Sequence, residues 1–145
     1  MLKVSTMLSV KDIRSTYPAK IAYTEHNIIR VNIALDYLWE ERCLERGMVY
    51  NGDRSGSCKF AALLARSLFG GRLVGNQEHV FTISGCDIID LNIAQKDVIE
   101  LNHMAHVRLD SALSHKDYRD ALSSCLPRVQ KWEEWVLKSM QKQVD

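Results

Sequence analysis

The sequence predicts an α+β domain, with helices at both ends and, between them, a glycine-bounded helix that leads into three short strands. Three observations predict it. Ile28, Val31, Leu35 and Leu38 recur at helical spacing. Residues 78–84 alternate His79, Phe81 and Ile83 with Val80 and Thr82. Gly85-Cys86 then separates that alternation from a second apolar run, Asp87-Ile88-Ile89-Asp90-Leu91, as the turn of a hairpin does.

Taken in order, Leu8 to Tyr17 offers a short helix around Val10-Lys11-Asp12-Ile13, ended by Pro18, which pushes its predecessor out of the α region. Thr24 caps a long helix, with Glu25 at the positive end of the dipole. Ile29, Ala34 and Trp39 widen its apolar stripe, and Gly47 stops it after Arg46. Met48-Val49-Tyr50 reads as an extended piece entering the loop Asn51-Gly52-Asp53-Arg54-Ser55-Gly56-Ser57. A second helix follows from about Ser57 to Phe69, with Phe60, Ala61, Leu64, Ala65 and Leu68 on one face and Gly70-Gly71 as terminator.

Arg72-Leu73-Val74-Gly75 is the first strand, and the hairpin follows. Its simplest register sets Phe81 opposite Asp90 and His79 opposite Asn92, with Asp87 on the other face from Asp90. Helix resumes at Gln95, with Val98, Leu101 and Met104 on one face. A last helix starts at Pro127, a favoured first-turn residue, and buries Val129, Trp132, Val136 and Met140, with Trp135 at the margin. The tryptophans read as packing residues.

A chain of 145 residues fits a single domain, residues 1–145, with its core at about 48–93. With 19 Lys and Arg against 18 Asp and Glu, there is no global attraction to nucleic acid or to an anionic membrane. No basic, aromatic-interleaved surface is visible, no apolar run approaches the roughly 18 residues of a membrane span, and Met1 to Val10 holds no signal-peptide core. Cys43, Cys58, Cys86 and Cys125 match no CxxC spacing and read as reduced thiols of a cytoplasmic protein. Burial within the monomer is the simplest use of the two long helical stripes, and the oligomeric state is not written in the sequence.

The chemistry concentrates at Cys58. The glycine- and serine-rich loop runs into a helix there, and a helix start favours a thiolate through its unpaired amides and dipole. The Cys58 backbone amide is a natural oxyanion donor, with Asn51 or Gln77 as a second. His79 on a strand is placed as general base and acid. Asp90 on the next strand, a diagonal neighbour in the simplest register, would orient that ring.

Two other readings compete. A non-catalytic module that binds a partner would need the core but no reactive thiol. A metal site would draw on His103 and His106, with Glu100 and His115, but a third and fourth ligand are not evident, so neither metal nor cofactor is expected.

Gly56-Ser57-Cys58 with its Ala/Leu-rich helix, Glu78-His79-Val80-Phe81 and Ile88-Ile89-Asp90-Leu91 resemble the transglutaminase-like branch of the papain-like cysteine peptidase superfamily, in its small bacterial, phage or mobile-cassette form. The resemblance covers roughly residues 51–92. It implies Cys58 as nucleophile, His79 as base and Asp90 as orienter, and acyl transfer through a thioester on a peptide or protein substrate. The stretch between Cys58 and His79 is shorter than in large transglutaminases, and the calcium-binding carboxylate loops of the animal enzymes are absent.

Overall fold

The computed structural model describes residues 10–52, 54–75, 80–91 and 109–144. The elements run α1 (Val10–Arg14), α2 (Glu25–Glu45), a 3-10 turn (Ser55–Ser57), α3 (Cys58–Phe69), β1 (Arg72–Gly75), β2 (Val80–Ser84), β3 (Asp87–Ile89), α4 (Leu109–Leu113) and α5 (Lys116–Val144). The fold class is α+β, with the cysteine-bearing helix packed on a small antiparallel sheet. The helix expected from Gln95 lies outside the described residues.

α2 begins as its sequence predicts. Thr24 is extended, and its hydroxyl accepts a bond from the Asn27 amide at 3.1 Å. At the other end Gly47 adopts φ +71°, and the Met48 amide bonds the Cys43 carbonyl at 2.8 Å. Ile28, Val31, Ala34, Leu35, Leu38, Trp39 and Cys43 are buried. Ile29 is not part of that face but exposed, because successive helix residues point about 100° apart and Ile29 overshoots the edge of the stripe.

α3 is the centre of the molecule. Every residue from Ala61 to Phe69 is buried, against the single inward face expected. The helix is covered on two sides, by the sheet and by α5. Thr82 of β2 donates to the Ala62 carbonyl at 2.8 Å. On the other side Ser67 donates to the Glu133 carboxylate of α5, which also pairs with Lys20. Phe60 sits between Trp39 of α2 and Trp132 of α5, at centroid distances of 5.7 and 5.3 Å.

Among the described residues the most buried charge is Arg66, at 1% exposure on α3. Its guanidinium donates to the carbonyls of Asp12, Ile13 and Ser15 at 3.4, 2.6 and 3.2 Å and lies 4.0 Å from the centre of the Tyr17 ring. A cation thus bonds carbonyls at the negative end of α1. Burial pulls its pKa below the usual arginine value.

The sheet order is β1-β2-β3, antiparallel throughout. Thr82 pairs with Ile89, Ile83 with Ile88 and Ser84 with Asp87, the register predicted from the Gly85-Cys86 turn. Leu73, Val80 and Ile89 join the main core with α3, whereas Val74, Phe81 and Ile88 form a second cluster with Ile83. Two-residue alternation accounts for the split.

α5 departs most from expectation. It starts at Lys116, so Pro127 lies inside the helix. Proline has no amide hydrogen for the carbonyl four residues back, a loss of about 3 kcal/mol in an isolated helix. The buried stripe Tyr118, Leu122, Cys125, Val129, Trp132 and Val136 runs past it unbroken, while Pro127 itself points to solvent. Burial of six large side chains outweighs the local defect.

Candidate functional site

The loop before Cys58 is shaped by one carbonyl. The Ser57 amide and hydroxyl both donate to the Arg54 carbonyl, at 2.8 and 2.7 Å. That bond pair winds Ser55–Ser57 into a 3-10 turn and buries Ser57, whose hydroxyl is thereby turned away from capping α3. Cys58 follows as the first residue of α3, with helical φ −53° and ψ −44° and a partly exposed side chain packed at the edge of the main core. The thiol therefore stands at the positive end of a twelve-residue helix dipole.

Arg54 fixes where this loop lies. Its guanidinium donates to the Asn32 carbonyl at 3.1 Å, the Asn32 side-chain oxygen at 2.9 Å and the Leu91 carbonyl at 2.5 Å. The loop is thus fastened to α2 and to the residue after Asp90. Asp90 follows the last residue of β3 and is 4% exposed, between Ile89 and Leu91 of the main core.

Tyr118, from the first turn of α5, is a neighbour of Cys58 that the sequence reading missed. Burial, and then the negative charge Cys58 can carry nearby, push the phenol up to about 12. It stays a protonated hydroxyl, a donor, at any physiological pH. The Lys59 ammonium lies 5.5 Å from the centre of the same ring. The four thiols are distinct in setting: Cys43 and Cys125 are buried, Cys86 is exposed, Cys58 is intermediate, and none is in a disulfide. Burial raises the Cys125 thiol above the usual value.

Cys58 thus opens α3 and Asp90 follows β3, and Arg54 ties the loop before the one to the carbonyl after the other; Phe81, opposite Asp90 in the expected register, belongs to the second cluster, on the sheet face away from the one whose Thr82 bonds α3. His79 and Gln77 lie outside the described residues, and Asn51 is exposed in the loop. Glu100, His103 and His106 also lie outside them, and His115 is exposed between α4 and α5. Among the described residues no three His, Cys, Asp or Glu side chains gather to hold a metal, and no described helix is long and apolar enough to cross a membrane.

Tyr118 had a readable signal: the periodic stripe of α5 continues upstream of Pro127 to position 118. Arg54 had a weaker one, as the lone cation in a loop of small and polar residues. Comparison of the chain with protein-family models, with curated proteins and with solved structures gives no match.

Proposed function

We propose that this chain is a cysteine-dependent hydrolase or acyltransferase with a papain- or transglutaminase-like core, acting on an amide or related acyl bond of a peptide or protein. One observation supports this above others. Cys58 stands partly exposed on the first turn of a helix packed on an antiparallel sheet, and Arg54 fastens its approach loop to the backbone beside Asp90.

In this reading the Cys58 thiolate attacks the substrate carbonyl carbon, and the displaced electron pair moves to oxygen, held by the Cys58 amide with Asn51 or Gln77. His79 takes the thiol proton and returns it to the departing amine as the C–N bond breaks. Asp90 holds the imidazole and stabilises its charged form. Water or an acceptor amine then attacks the thioester and frees the thiol.

Incubation with an activated acyl ester such as p-nitrophenyl acetate, followed by peptide mass mapping, tests it. The expected result is one acyl adduct, on Cys58, that turns over in the wild type and is lost in Cys58→Ala. Turnover retained in Cys58→Ala, or adducts spread equally over Cys58 and Cys86, overturns it.

A second reading, a partner-binding module without a reactive thiol, is favoured by the apolar side chains Ile33, Tyr37 and Trp135 at the surface. It expects Cys58 to acylate no faster than its exposure dictates.

A further inference from the structure

A cleft of about 190 Å³ lies between the last turn of α2 and the middle of α5. Its wall carries three cations, Arg42, Arg128 and Lys131, and is completed by Phe60, Ser124 and Pro127. Among the described residues no acid lines it.

One carboxylate, Glu45, stands close to these cations, and it is committed to Arg128. The two side chains meet as a fork, at 2.9 and 2.8 Å. Glu45 is 3.5 Å from the Arg42 guanidinium, beyond the usual range of a charged hydrogen bond. The buried Arg42 Nε–H has no acceptor among the described residues, and Lys131 pairs with no acid among them. Glu41 is held by the Tyr37 hydroxyl and Asp120 by Lys116, and neither they nor Glu134 line the cleft. Arg42 and Lys131 are therefore left largely uncompensated.

The end of α2 does not account for this gathering. Cations do collect at helix C-termini, but the carbonyls of Arg42, Cys43 and Leu44 already accept from the amides of Arg46, Gly47 and Met48. The positive field also reaches inward. Burial raises the Cys125 thiol, next to Ser124, and the charges of Lys59 and Arg42 act against that rise. Holding like charges together is unfavourable, and an anion in the cleft would relieve the repulsion.

We propose that this cleft binds a phosphoryl dianion, the group shared by free phosphate and small phosphate monoesters. Three terminal oxygens allow Arg42, Arg128 and Lys131 each to engage one, and the planar arginine fork matches them. A carboxylate brings only two oxygens and a single charge. The volume is below the roughly 300–1,000 Å³ of sites that enclose a drug-sized ligand. The cleft thus seats a head group, with Phe60 and Pro127 as an apolar wall beside it.

Calorimetric titration of the full chain at constant ionic strength tests this, with inorganic phosphate and phenyl phosphate as probes and acetate as the monoanion control. One saturable phosphate site per chain is expected, with acetate weaker by about tenfold or more. Lys131→Gln is expected to weaken phosphate about tenfold, the scale of one charge-assisted bond. Glu45→Gln is expected to tighten it, because Arg128 is then released from its fork. Both positions are exposed, so the fold is kept. Phenyl phosphate binding as tightly as inorganic phosphate assigns the site to a monoester, and its exclusion assigns it to free phosphate. Absence of a saturable site at millimolar phosphate overturns the proposal, as does a Lys131→Gln variant that binds like wild type. Equal weakening by Lys138→Gln, farther along α5 and outside the cleft, also overturns it, since attraction to a generally basic surface would then suffice. None of these residues belongs to the candidate active site, so the result is independent of whether Cys58 is reactive.

Discussion

Arg54 and Leu91 are 37 residues apart in the chain, yet the Arg54 guanidinium lies 2.5 Å from the Leu91 carbonyl oxygen. The same side chain holds both the carbonyl and the side chain of Asn32. One group thus joins α2, the approach to Cys58 and the exit from β3. Arg54→Ala is expected to lower stability by about 2–3 kcal/mol in urea unfolding, the worth of a charged donor with several bonds. It should also change the alkylation rate of Cys58. Arg54→Lys restores the charge but not the fork that spans both partners, and recovers less than half. A variant within about 0.5 kcal/mol of wild type would show that the clasp is incidental.

Arg66 is a packing residue that happens to be charged. Arg66→Met keeps much of the volume but removes the donor shared by three carbonyls at the end of α1 and the stack on Tyr17. The expected loss is about 2–4 kcal/mol. Limited proteolysis should show cleavage in residues 10–20 before the remainder of the chain. Equal resistance of variant and wild type would contradict this role.

Gly71 and Gly85 both have positive φ, at +100° and +59°, but differ in space. A Cβ on Gly71 would lie 2.2 Å from the Ile83 carbonyl oxygen, while a Cβ on Gly85 meets nothing within 4 Å. Gly71 also exchanges two backbone bonds with Tyr17. Gly85→Ala is therefore expected to cost about 1 kcal/mol, the left-handed penalty alone. Gly71→Ala is expected to cost more than about 4 kcal/mol or to prevent folding. Thermal unfolding of the two variants side by side checks the order, and equal effects would contradict it.

Tyr118 gives the structure an alkaline edge. Its phenol, ordinarily near 10, is raised to about 12, chiefly by burial. Between those values the folded chain keeps a proton that the unfolded chain releases. Its contribution is fully present below the unfolded value and is lost as pH rises through the folded one. Tyr50 is raised as well, by burial and by its bond to Asp36, so the whole protein shows a slope. The difference between wild type and Tyr118→Phe isolates one group. That difference should change by up to about 2 kcal/mol across this window, with wild type losing more. Parallel profiles would mean that the phenol titrates normally.

The sheet and the thiol's position were legible because they rest on local rules. Gly70-Gly71 ended one helix, Gly85-Cys86 set the hairpin register, and the loop at Gly56-Ser57 put Cys58 at a helix start. What stayed hidden depends on tertiary burial. Pro127 reads as a beginning because its local penalty is visible and the packing that offsets it is not. α3 reads as one-sided because alanines and leucines do not announce a second covering layer. Arg66 looks like any surface cation until the end of α1 is brought to it. Tyr118 joins Cys58 only after α5 folds back across α3.

The sharpest test is the order in which the four thiols react. Exposure alone ranks Cys86 first, since Cys58 is partly covered and Cys43 and Cys125 are buried. Timed alkylation with iodoacetamide at neutral pH, read by peptide mass mapping, should instead label Cys58 first. His79→Ala should slow Cys58 at least tenfold while leaving Cys86 unchanged, about the scale of losing a paired base. If Cys86 leads and His79→Ala leaves Cys58 as it was, the thiol is an ordinary one at the edge of a core.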